Sequence, residues 1–237
     1  MATASAQSRS PSPENDIFGV ADFVVPPREI KAAGQTDLSF NGLLSPSLKL
    51  HEDLSEGCGG QLWPAGMTLA QYMLTYHKSL VGKHIIEIGA GGGLSGLAVA
   101  AGCKLDTKLL LTDQLPMLAL MQKNIGLNSL EHRVTAQVYD WGSKPAPSFP
   151  TTSGHADVIL AADCVYFEPA FPLLLQTLKD LIGPNTVCYF CFKKRRKADT
   201  RFIRDMLRTF TVEEVHYEWR DSDRHDSVFL YEVRRKG

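Results

Sequence analysis

A chain of 237 residues, 44% hydrophobic and 22% charged, is long enough for one large domain with a substantial core. Its formal net charge of −1 excludes a global attraction to nucleic acid or to an anionic membrane, so either contact needs a local patch. The five cysteines are odd in number, no apolar leader follows the polar N-terminus and no apolar run reaches membrane-spanning length, which predicts a reduced, cytoplasmic protein.

Residues 1–36 have the composition of a disordered or irregular segment, with Ser10 and Ser12 each followed by proline as candidate phosphorylation sites. One domain is expected over 37–237. It opens on a small hairpin between Leu38 and Leu50, broken at the turn dipeptide Asn41-Gly42. Leu69, Tyr72, Met73 and Tyr76 share one helical face, so a helix is predicted over 68–80 with Thr68 as its cap. Strands and helices then alternate. Strands are predicted over 83–88, 108–112, 134–139, 158–162 and 186–192, and helices over 94–101, 116–127, 170–181 and 199–209. Strands over 211–217 and 228–233, with no helix between them, are expected as an antiparallel pair at one edge. The early strands are continuous apolar runs, as in sheets covered by helices on both faces. The pattern predicts an α/β, doubly wound, Rossmann-like sheet of seven strands with the N-terminal hairpin as an extension.

The stretch Glu87-Ile-Gly-Ala-Gly-Gly-Gly-Leu-Ser-Gly96 holds five glycines in ten positions. Gly91, Gly93 and Gly96 satisfy the glycine spacing of dinucleotide-binding loops, a weak signal alone. Glu87 adds information. A carboxylate beside the loop repels a pyrophosphate and attracts an ammonium group. The acid therefore favours S-adenosylmethionine, with its α-ammonium and sulfonium, over a nicotinamide dinucleotide. The structural alternative is that Glu87 only closes the loop by accepting backbone N–H bonds. Asp113, ending the next strand, suits ribose hydroxyls or the cap of the following helix. Trp141 suits an adenine pocket or the core. Asp163 and Tyr166 follow the fourth strand of the alternation, which neighbours the first in this topology, and so border the reactive end of the ligand. Cys188 and Cys191 form a CxxC inside a strand, where residues three apart face opposite sides, so they read as buried apolar residues. His77, His84 and His155 are isolated, and no metal-ligand spacing is present. The basic run Lys193–Lys197 is either a solvated loop or a grip on an acidic protein surface or on phosphates.

The glycine loop, Leu111-Thr112-Asp113, Asp140-Trp141-Gly142 and Asp163-Cys164-Val165-Tyr166 together resemble the seven-strand methyltransferases, in particular the methyltransferase-like protein-lysine methyltransferases. Leu62-Trp63-Pro64-Ala65 is similar to that family's Leu-Trp-x-Ala segment, with Pro64 a departure where many relatives carry an acid. The resemblance runs from about Gly59 to the C-terminus. It implies S-adenosylmethionine as cofactor, bound by Trp63, Glu87, Gly89, Ala90, Gly91, Asp113, Trp141 and Ala162. It implies Asp163 and Tyr166 as the catalytic acid-x-x-aromatic motif, acting on a lysine of a protein substrate. The stretch Cys191 to Asp199 resembles the fungal branch that methylates translation elongation factor 1-alpha. A monomer without metal, membrane or stable nucleic-acid binding is expected. The competing readings are a nucleic-acid or small-molecule methyltransferase on the same fold, a nicotinamide-dependent oxidoreductase, and an inactive binding module.

Overall fold

The computed structural model describes residues 33–55, 57–149 and 154–237, so the serines at 10 and 12 and most of the expected irregular segment lie outside it. The hairpin is present as an antiparallel pair, β1 (Gly34–Leu38) and β2 (Leu48–Glu52). It begins inside the stretch expected to be irregular. Its connection holds Asn41 and Gly42, both with positive φ.

Seven strands form the main sheet: β3 (Ile85–Ile88), β4 (Leu109–Asp113), β5 (Val134–Val138), β6 (Val158–Ala162), β7 (Val187–Lys193), β8 (Phe210–Glu214) and β9 (Val228–Arg235). Their order is β5-β4-β3-β6-β7-β9-β8. The first five are parallel, and β9 runs antiparallel to both β7 and β8. The order reverses between β3 and β6, the place where such sheets open a crevice for ligands. All of β3 is buried, as its unbroken apolar run predicts.

The helices are α1 (Pro64–Tyr76), α2 (Leu94–Gly102), α3 (Leu115–Leu127), α4 (Phe171–Leu181), α5 (Lys197–Thr209) and the short α6 (Arg220–His225). They make two cores, one on each sheet face. Leu69 and Met73 of α1, Leu97 of α2 and Met121 and Ile125 of α3 pack with Leu48 and Leu50 of the hairpin. Leu174 and Leu178 of α4 and Phe202 and Met206 of α5 pack on the other face. Phe202 stacks on Phe190 with centroids 5.9 Å apart, and truncating such a buried ring costs about 3–5 kcal/mol. Cys191 joins the first core and Cys188 the second, so the CxxC does split across the sheet.

Two expectations need correction. The first helix starts at Pro64, with Trp63 at its cap, because proline suits the first helical position. Thr68 lies inside that helix and donates to Asp223 Oδ2 at 3.0 Å. The second is α6, which stands between the two last strands. Its sequence, RDSDRH, has no apolar face, so periodicity does not reveal it. The first helix also ends at Tyr76, four residues before the expected 80, and the ends of the other helices and of the seven sheet strands differ from expectation by three residues or fewer.

Candidate active site

A cavity of about 550 Å³ lies at the reversal of strand order, a size suited to a nucleotide-sized ligand. Trp63, Glu87, Gly89, Ala90, Gly91, Asp113, Trp141, Ala162, Asp163 and Tyr166 all line it, so the residues expected at the cofactor and at the reacting lysine reach one space.

The glycine-loop end is tightly cross-linked. The Gly96 N–H donates to Glu87 Oε2 at 2.8 Å, across the first turn of α2. The Gly91 N–H donates to Asp113 Oδ2 at 2.7 Å, and the Gln114 N–H to Asp113 Oδ1 at 2.7 Å. Gly89 and Gly91 have φ of 60° and 54°. A Cβ on Gly91 would stand 2.3 Å from the Gly59 carbonyl oxygen, and one on Gly89 would stand 2.8 Å from the Trp141 ring. Both positions therefore demand glycine for conformation and for space.

Burial is the largest influence on the two acids here. It pushes the Glu87 carboxyl up to about 8, against the lowering effect of its hydrogen bonds to the α2 N-terminus. It also raises the Asp113 carboxyl, against the N–H bonds from Gly91 and Gln114. Glu87 thus does what the structural alternative expected, closing the loop. The two roles are compatible. A carboxylate has about four acceptor sites, so Asp113, with two backbone donors, keeps capacity for hydroxyl groups. A cation near Glu87 would offset its desolvation.

The roof of this end comes from the hairpin. Asn124 of α3 is fully buried, and its Oδ1 accepts the His51 N–H at 2.8 Å. Its Nδ2 donates to the carbonyls of His51 at 3.2 Å and Gly92 at 2.9 Å. One amide therefore ties β2 to the glycine loop. Nothing in the spacing of the sequence marks it.

The other end is built on the β6 and β7 termini. Asp163 takes φ 52°, an uncommon but tolerated conformation for aspartate. This aims its carboxylate into the protein. Oδ2 accepts the Ala65 N–H of α1 at 3.2 Å, and Oδ1 accepts the Lys193 N–H at 3.0 Å and Arg195 Nη1 at 2.9 Å. Tyr166 and Phe167 are 49% and 55% exposed and wall the mouth.

The basic run divides. Arg195 lines the cavity. Arg196 caps α5, pairs with the buried Asp199 and donates to the Tyr166 carbonyl. Lys194 and Lys197 are exposed. His77, His84 and His155 do not line this cavity, whereas His51 does. Among the described residues no three His, Cys, Asp or Glu side chains converge as metal ligands.

Residues 43–209 match the family described as lysine methyltransferase. The chain is 40% identical over 222 residues to Protein-lysine N-methyltransferase EFM6 of Saccharomyces cerevisiae, covering 84% of this chain and 90% of that one. It is 35% identical over 191 residues to Protein N-lysine methyltransferase METTL21A of Danio rerio, covering 79% and 84%. It is 32% identical over 183 residues to EEF1A lysine methyltransferase 3 of Mus musculus, covering 76% and 74%. The solved CurJ carbon methyltransferase aligns with a TM-score of 0.51 at 14% identity, over 73% of this chain and 54% of that one, a likeness of fold alone. The chain belongs to the lysine methyltransferase family and is an S-adenosylmethionine-dependent protein-lysine N-methyltransferase.

Proposed function

We propose that this enzyme methylates a lysine of translation elongation factor 1-alpha, as a monomer in the cytoplasm. In this reading the cofactor would lie against the glycine loop and the lysine would enter past Tyr166. The supporting observation is the single cavity that joins Glu87 and Asp113 to Asp163 and Tyr166. One relative supports the substrate: the murine one is named for this elongation factor. EFM6, at 40% identity, supports a protein lysine as the acceptor.

Within that cavity Glu87 and Asp113 would hold the cofactor's ammonium and ribose, and Trp63, Gly89, Ala90, Gly91, Trp141 and Ala162, which line the same space, would form its walls. When bound, S-adenosylmethionine supplies an electrophilic methyl carbon on a sulfonium. Tyr166 and Phe167 confine the lysine stem and exclude water, and desolvation there favours the neutral amine. Asp163 holds the α1 N-terminus against the end of β7, which fixes the walls of the slot. With the cofactor bound, the amine lone pair would form the N–C bond as the C–S bond breaks, its electron pair returning to sulfur. The methylated ammonium loses a proton to water. Alignment of the two reactants can supply up to roughly 7–11 kcal/mol of the barrier reduction.

The test is methyl transfer from tritium-labelled S-adenosylmethionine to elongation factor 1-alpha made unmethylated in bacteria, followed by peptide mapping. Label on one lysine is the expected result. No label on this factor, with label appearing on other proteins of a cell extract, overturns the substrate. Label that nuclease removes returns the reading to nucleic acid.

A further inference from the structure

The Asp163 side chain is 4% exposed, and such a carboxylate by itself holds an approaching lysine as the ammonium, which cannot attack a methyl group. The fold places a cation against it. Arg195 Nη1 donates to Asp163 Oδ1 at 2.9 Å and to the Lys193 carbonyl at 3.1 Å. The guanidinium carbon also stands 5.0 Å from the centre of the Trp63 ring. Arg195, Asp163, Trp63 and Tyr166 line the same cavity.

We propose that Arg195 is a positioning residue that neutralises Asp163, so that the slot receives the lysine as a neutral amine. Two physical effects act together. The guanidinium offsets the Asp163 charge, which weakens the attraction for a second cation. It also covers the face of Trp63 that would otherwise draw an ammonium by cation–π attraction. A lysine whose ammonium form is disfavoured gives up its proton at lower pH, and more of it is reactive near neutrality. This rests on the assignment of the cavity to lysine methylation.

The surrounding groups leave this role to Arg195. From α1 the Ala65 N–H meets Asp163, and from β7 the Lys193 N–H does. The Cys164 and Cys191 thiols near Asp163 are kept protonated by burial. At the α5 end Asp199 accepts the N–H groups of Arg195 and Arg196 and pairs with the Arg196 guanidinium. Glu87, Asp113 and His51 line the cavity as well. Among the described residues, Arg195 is the cationic side chain bonded to Asp163.

The experiment is the single-turnover methylation rate at saturating substrate and cofactor, from about pH 6 to about pH 10. It compares wild type with Arg195→Met, Arg195→Gln and Arg195→Lys. The alkaline-rising limb is expected to move up by about one pH unit in the Met and Gln variants, a loss of about tenfold near neutrality that recovers at high pH. Arg195→Lys keeps the wild-type limb. Arg195→Gln carries the test should Arg195→Met fail to fold. A loss of equal size at every pH overturns the proposal and makes the arginine a packing residue. Unchanged rates overturn it too. Unchanged rates in Tyr166→Ala as well would place the failure in the assignment of the cavity.

Discussion

At the cofactor end of the cavity, Glu87 and Asp113 spend their hydrogen-bonding capacity on backbone N–H groups, 9 and 22 residues away in the chain. At the lysine end, Asp163 meets a guanidinium 32 residues away. Both ends bury acids, but they compensate them differently. No cationic side chain offsets Glu87 among the described residues, and burial drives its carboxyl up to about 8. Asp163 has its counter-ion built in. The first end is therefore suited to receive a charged ammonium, and the second to receive an amine without its proton. Under the proposed assignment, one cavity prefers opposite charge states of the same functional group at its two ends.

The largest effect is expected at the glycine loop. Gly91→Ala puts a Cβ 2.3 Å from the Gly59 carbonyl oxygen at a positive φ. Strain and displacement together should weaken S-adenosylmethionine binding by about a hundredfold or more, as measured by calorimetry. Turnover should fall with it. At the other end, Tyr166→Ala should lower single-turnover transfer by about ten- to a hundredfold, while cofactor affinity stays within about twofold. Parallel losses in both would erase the division between the ends.

Asn124→Ala removes three hydrogen bonds that join β2 to the glycine loop. Part-buried backbone groups of His51 and Gly92 lose their partner, so stability should fall by about 1–3 kcal/mol, read from denaturant unfolding. Cofactor affinity should drop several-fold as the roof loosens. A further effect is in pH dependence. Glu87 has a raised carboxyl in the free protein, and an ammonium favours its ionised form. Cofactor affinity should therefore rise with pH up to about 8, by at most about tenfold per unit, with proton release. Glu87→Gln should flatten that slope. The stability of the free protein runs the other way. The contribution of a raised acid is complete below its ordinary value near 4.5 and is lost as pH climbs through about 8.

The two ends also differ in how far they could be read from sequence. The glycine loop, Asp113 and Trp141 belong to short contiguous motifs at strand ends, and the sheet places strand ends together. The α/β alternation was legible because continuous apolar strands and apolar-faced helices leave periodic marks. Arg195 and Asn124 left none. Each acts through a partner far away in the chain, and a basic run looks the same whether its members face solvent or a buried acid. The structure pairs Arg195 with Asp163 and Arg196 with Asp199, so part of the basic run is tied to buried acids. Helix α6 was hidden because it is polar, yet its Asp223 anchors Thr68 and Tyr217 at 3.0 and 2.9 Å. The start of α1 was hidden because Trp63 makes no side-chain cap.

Calorimetric titration of S-adenosylmethionine into wild type, Asp113→Ala and Tyr166→Ala tests the division of the cavity most directly. The account predicts that binding is largely lost in Asp113→Ala and retained in Tyr166→Ala. Retained binding in Asp113→Ala, or equal loss in both variants, would contradict it.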